Sequence, residues 1–110
     1  MEKLLEQTLL YDFYGELLTE HQKQIYEEVV LNDYSFSEVA EAQGISRQGV
    51  HDLVKRCNRI LQEYEAKLHL VERFLAVKVQ IEAMERSLQE TEKPDKEALS
   101  RQLRDLLENL

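Results

Sequence analysis

The sequence predicts an all-α fold: a helix-turn-helix bundle followed by a C-terminal helical extension or hairpin. Apolar residues recur every three to four positions along almost the whole 110-residue chain. Three glycines and one proline supply too few turns for an all-β sandwich. Ser or Thr is followed three residues later by Glu or Gln where new apolar periods begin, as helix N-termini require.

Leu4, Leu5, Leu9, Leu10, Phe13, Tyr14 and Leu17 place a first helix over about residues 2–16. Thr19 with Gln22 forms a capping-box pattern that opens a helix carrying Ile25, Tyr26, Val29 and Val30, which Asn32 and Asp33 terminate. Ser35 with Glu38 repeats the pattern and starts a short helix containing Val39, Ala40 and Ala42. Gly44 suits the left-handed residue that ends it, and Ser46 stands where the next N-cap is needed. Val50, Leu53, Val54, Cys57, Ile60, Leu61 and Tyr64 then continue a helical stripe. A short helix, a three-residue turn and a longer helix over 35–61 make a helix-turn-helix. Ala40 permits close helix approach, and Ile45, Val50 and Leu53 are expected to face inward. Gly49 costs the second helix roughly 0.5–1 kcal/mol relative to Ala, which close approach to the first helix or to a phosphate would explain.

Beyond Tyr64 the apolar positions run on through Leu68, Val71, Phe74, Leu75, Val77, Ile81, Met84 and Leu88. A polar break follows over 90–93, and Pro94 suits the first residue of a last helix with Ala98, Leu99, Leu103, Leu106, Leu107 and Leu110. The expected division is an N-terminal domain over 1–62 and C-terminal helices over 63–110. So much extra apolar face predicts a homodimer, the alternative being a hairpin folded back on the protomer's own N-terminal helices.

A length of 110 residues fits one ordinary domain. The lone Cys57 excludes an intrachain disulfide and a multi-Cys zinc site. No apolar run approaches the roughly 18 residues of a spanning helix, and the acidic N-terminus is no signal peptide. A soluble, cytoplasmic protein without membrane insertion is expected.

With 14 basic and 22 acidic residues the net charge is −8, which disfavours a non-specific nucleic-acid coat. The charge is unevenly spread. Residues 1–43 carry net −8 and residues 62–110 net −3, whereas residues 44–61 carry Arg47, Lys55, Arg56 and Arg59 against Asp52 alone, net +3. Basic residues also complement a helix C-terminus, but Arg47 lies at the start of the segment, where the dipole disfavours it. On a DNA-reading helix, Arg47 would bond guanine, Gln48 adenine, and Asp52 cytosine, with His51 also facing outward. Ser46 and the first-turn amides would hold a phosphate, and Lys55, Arg56 and Arg59 would clamp others without reading sequence. Asp52 alternatively neutralises Arg56 across one helical turn.

Other residue groups read as structure. Cys57 lies on the apolar stripe. Glu65 and His69 have a spacing that could share a metal, but no further ligand completes a site, so a solvated ion pair is expected. Gly44-Ile45-Ser46 lacks the second glycine and the strand of a nucleophile elbow. No catalytic constellation, phosphate-cradling loop, metal site or cofactor site is visible, and no enzymatic activity is expected.

The stretch Leu10-Tyr11-Asp12-Phe13-Tyr14-Gly15 with Leu17-Leu18-Thr19 resembles the N-terminus of the YlxM-like family of small bacterial proteins. Ile45-Ser46-Arg47-Gln48, then Val50, Asp52 and Lys55-Arg56, and later Glu63-Tyr64-Glu65 with Lys67-Leu68, are also similar to that family. The resemblance covers about residues 4–75, and Gly49 departs from the alanine expected there. The helix-turn-helix itself resembles the DNA-binding C-terminal region of bacterial sigma factors, region 4. Members of the family are typically encoded beside the signal recognition particle GTPase or its receptor. The resemblance therefore implies a double-stranded-DNA-binding regulator acting in that pathway, or alternatively an accessory of the particle that works through protein or RNA contacts.

Overall fold

The structure, a computed structural model, describes residues 2–110, and all regular structure among them is helical. The chain divides into a compact unit ending at His69 and a second over Leu70–Leu110.

In the first unit, helix α1 spans Lys3–Tyr14 and closes in a single 3-10 turn, Gly15–Leu17, two residues short of the helix expected from the apolar spacing. Gly15 is buried, and a Cβ there would stand 2.9 Å from the Tyr11 ring, so the ring packs where only glycine leaves room. Helix α2 (Glu20–Tyr26) starts from Thr19 with both halves of the capping box formed. It widens into a π turn over Glu27–Leu31 and stops before Asp33, which adopts φ 58°. Helix α3 (Phe36–Gln43) is capped reciprocally by Ser35 and Glu38 and ends on Gly44 at φ 68°. Helix α4 (Arg47–Leu68) begins from Ser46, whose hydroxyl accepts from the Gly49 amide at 2.9 Å.

Helix α4 runs unbroken across residue 62, so the two units part at His69 rather than at the 62/63 boundary expected from the sequence. His69 ends α4 in the left-handed conformation, φ 57°. Histidine is among the few non-glycine residues enriched in that region, and the apolar spacing carries no trace of the break.

Helix α4 packs against α1, α2 and α3 through Val50, Val54, Cys57 and Leu61. The core it closes over holds Leu10, Tyr14, Leu18, Ile25, Tyr26, Val39 and Ala40. Two large members are tyrosines, and their hydroxyls are satisfied: Tyr26 donates to Asn58 Oδ1 at 2.6 Å and Tyr14 to Glu65 Oε1 at 2.6 Å. Glu65 on α4 thus anchors a buried phenol. Gln7 Nε2 also donates to Asn58 Oδ1, at 3.2 Å, so one amide side chain ties α1 and α2 to α4.

Burial pushes the Cys57 thiol up to about 11 and lifts the Tyr26 hydroxyl well above its ordinary value. Burial also raises Tyr11, with its hydrogen bond to Glu27 adding to the rise. The fold holds these groups protonated while the unfolded chain releases their protons at lower pH. The Cys57 contribution is therefore complete below about pH 9 and is lost as pH rises to about 11, while those of Tyr11 and Tyr26 are lost from about pH 10 upward. The urea midpoint is expected to be level from pH 7 to 8.5 and to fall steadily by pH 10.5; a flat profile would contradict this burial.

In the second unit, α5 (Leu70–Glu90) and α6 (Lys96–Glu108) form an antiparallel pair, with Asn109 Nδ2 donating to Gln80 Oε1 at 3.0 Å. Asp95, not Pro94, opens α6: its carboxylate accepts from the Glu97 amide, leaving Pro94 one residue before the cap and two before the helix. Val79, Leu103 and Leu107 remain 66%, 50% and 70% exposed.

Candidate nucleic-acid interface

Helix α3, the turn 44–46 and the start of α4 form the helix-turn-helix. Gly44 reverses the chain without a Cβ clash, and the Ile45 amide donates back to the Ala40 carbonyl at 3.1 Å. Ile45, expected from its spacing to face inward, is held in the turn beside the exposed Ser46 and remains 37% exposed. Val50, fully buried, and Ala40 seat α4 on α3. Gly49 approaches neither α3 nor another backbone: a Cβ there would meet the Ser46 Oγ at 3.1 Å, so the crowding is with the cap itself.

All eight residues assigned to DNA contact, Ser46, Arg47, Gln48, His51, Asp52, Lys55, Arg56 and Arg59, are exposed. At about 100° per residue, Gln48, Asp52, Lys55 and Arg59 lie opposite the buried stripe, while Arg47 and His51 fall on one flank. Arg56 turns to the other flank, against Thr19 and Gln22 at the start of α2. The face therefore holds six of the side chains along one outer arc, with Arg56 at its edge and Ser46 at the N-cap.

Asp52 does not pair with Arg56. Its Oδ1 accepts from Gln48 Nε2 at 3.0 Å and lies 3.7 Å from His51 Nδ1. The bond uses one of the two Gln48 Nε2 hydrogens, leaving the other and the Oε1 acceptor as the pair an adenine edge takes. The first turn of α4 carries no acidic residue, whereas α1, α2, α3, α5 and α6 carry Glu6, Glu20, Glu38, Glu72 and Glu97 in theirs. Arg47 stands there instead, against the helix dipole.

Two residues of this region are not legible as functional in the sequence. Phe36, the first residue of α3, meets His51 edge to face at a centroid distance of 5.6 Å and shares a hollow with Arg47 and Gln48. Asn58 buttresses α4 from behind; a poor helix former at the border of an apolar stripe is the one signal that could have singled it out.

The family model described as "Putative helix-turn-helix protein, YlxM / p13 like" matches residues 1–102. A UPF0122 protein of Halalkalibacterium halodurans is 40% identical over the whole chain and 95% of its own length. UPF0122 proteins of a Thermoanaerobacter species and of Acetivibrio thermocellus are 43% and 50% identical over 80% and 71% of this chain, and over 75% and 67% of theirs. No helix among the described residues is long and apolar enough to cross a membrane.

Proposed function

The chain belongs to the YlxM / p13 like helix-turn-helix family, and from that premise we propose that it binds double-stranded DNA as a regulator. The observation that carries the reading is the coincidence of the net +3 segment with the outward face of α4. Helix α4 enters the major groove with Arg47 and Gln48 at base edges, while Lys55, Arg56 and Arg59 hold phosphates. The remaining 92 residues, net −11, repel DNA in other orientations. Binding is thus confined to one face, and non-specific association is weak.

The DNA-binding form is a homodimer working in the cytoplasm. The exposed Val79, Leu103 and Leu107 of the second unit supply its contact, and paired recognition helices then read half-sites about 34 Å apart or a multiple of that. Sedimentation equilibrium at micromolar concentration is expected to return twice the 13.0 kDa chain mass; a monomer mass removes the dimer.

Selection of genomic fragments by the purified protein, followed by sequencing, tests the reading. A recurrent motif with two related half-sites is expected. The acidity of residues 1–43 favours a second reading, an accessory of the signal recognition particle that engages a basic partner. Failure to enrich any duplex, together with lysate partners that survive nuclease, would replace the first reading with the second.

A further inference from the structure

A groove of about 650 Å³ opens in the first unit where α1, the π turn, α3 and α4 converge. Its apolar lining is Leu4, Val29, Val30, Phe36 and Val54. The lining also includes Lys3, His51 and Lys55 and no carboxylate, in a chain where 22 of 110 residues are acidic. Residues 1–43 contain two cations. Lys23 is neutralised by Glu16 at 3.2 Å and Glu20 at 3.6 Å. Lys3, the other, lines the groove and makes no ion pair among the described residues. Val29 and Val30 come from the π turn, a rare distortion that concentrates at functional sites.

We infer that this groove docks an acidic amphipathic helix of a partner protein. Apolar anchors spaced i, i+3, i+4 and i+7 meet the apolar lining, and flanking carboxylates meet Lys3 and Lys55. The α4 wall runs from His51 to Asn58, about 10 Å, which matches two helical turns. The groove is open to solvent along its length, so a small molecule would leave too much of its surface wet, whereas a helix brings its own covering face. Helix α6 of a second copy is a poor occupant, because its Lys96, Arg101 and Arg104 balance Glu97, Asp105 and Glu108. The inference does not rest on DNA binding, although His51 and Lys55 serve both faces.

The test uses two fluorescein-labelled helical peptides of about 15 residues, with leucine at the four anchor positions. One carries glutamate at its flanking positions and the other lysine. Fluorescence anisotropy on the full chain, without nucleic acid, is expected to give the acidic peptide roughly micromolar affinity and its lysine twin at least about tenfold less. That preference runs against the protein's net charge of −8. The double variant Lys3→Glu, Lys55→Glu alters two exposed side chains and is expected to reverse the order of the peptides, with an unchanged circular dichroism spectrum. Absence of saturable acidic-peptide binding, equal binding of the twins, or indifference to the double variant would overturn the inference.

Discussion

A variant carrying Lys55→Glu, Arg56→Glu and Arg59→Glu is expected to lose duplex DNA binding altogether while keeping its helix content. All three side chains are exposed and outside the core, so each exchange costs folding only about 0.5 kcal/mol or less. On the proposed interface they hold about three phosphates per protomer, six in a dimer, which sets a log–log salt slope of roughly −5. The wild type should then lose about 10³ in affinity between 50 and 200 mM salt. Charge reversal removes the released counterions and adds repulsion at the same points, so the variant should show no salt-dependent binding in that range. Arg47→Ala behaves differently, because a base-edge hydrogen-bond pair carries about 1–3 kcal/mol of discrimination: it should level the preference between sequences. Lys55→Ala should weaken all sequences alike and flatten the slope by about 1 for each phosphate no longer neutralised. Filter binding or anisotropy over the salt series measures these quantities. Retention of wild-type affinity by the triple variant would move the interface off α4.

Helix starts were legible wherever a side chain does the work of a missing backbone partner. Thr19, Ser35 and Ser46 each accept an early amide, and only short hydroxyl or amide-accepting side chains can do so at that position. Gly44 was legible for the complementary reason, since glycine enters the left-handed region at a helix end without a Cβ penalty. The exposed face of α4 followed from period and charge together. What stayed hidden depends on partners distant in sequence. The left-handed His69 and the π turn over Glu27–Leu31 leave the three-to-four apolar rhythm intact on both sides. Asn58 gains its role from Gln7 and Tyr26, 51 and 32 residues away, and no local pattern encodes that meeting. Asp95 displaces Pro94 from the start of α6 because its carboxylate can take the Glu97 amide.

The largest effect on stability is expected from Tyr26→Ala. Tyr26 is fully buried, its ring stacks on Tyr11 at 5.4 Å with planes 19° apart, and its hydroxyl reaches Asn58 on α4. Truncation empties an aromatic-sized volume and should cost about 3–5 kcal/mol. Against a total of about 5–15 kcal/mol for a domain this is a large fraction, and with an m-value of about 1–3 kcal/mol/M the urea midpoint should fall by roughly 2 M. Tyr26→Phe separates the packing from the hydrogen bond. It keeps the ring and removes one donor, while Gln7 still occupies Asn58 Oδ1, so about 1 kcal/mol is expected. The same pair of variants bears on recognition. Loss of the Tyr26 ring loosens the support on which α4 is presented, so Tyr26→Ala should weaken duplex binding even where the chain is still folded. Tyr26→Phe should bind like the wild type. A loss of less than about 1.5 kcal/mol for Tyr26→Ala, below the range for a buried aromatic, would mean that the ring is not packed as the core requires.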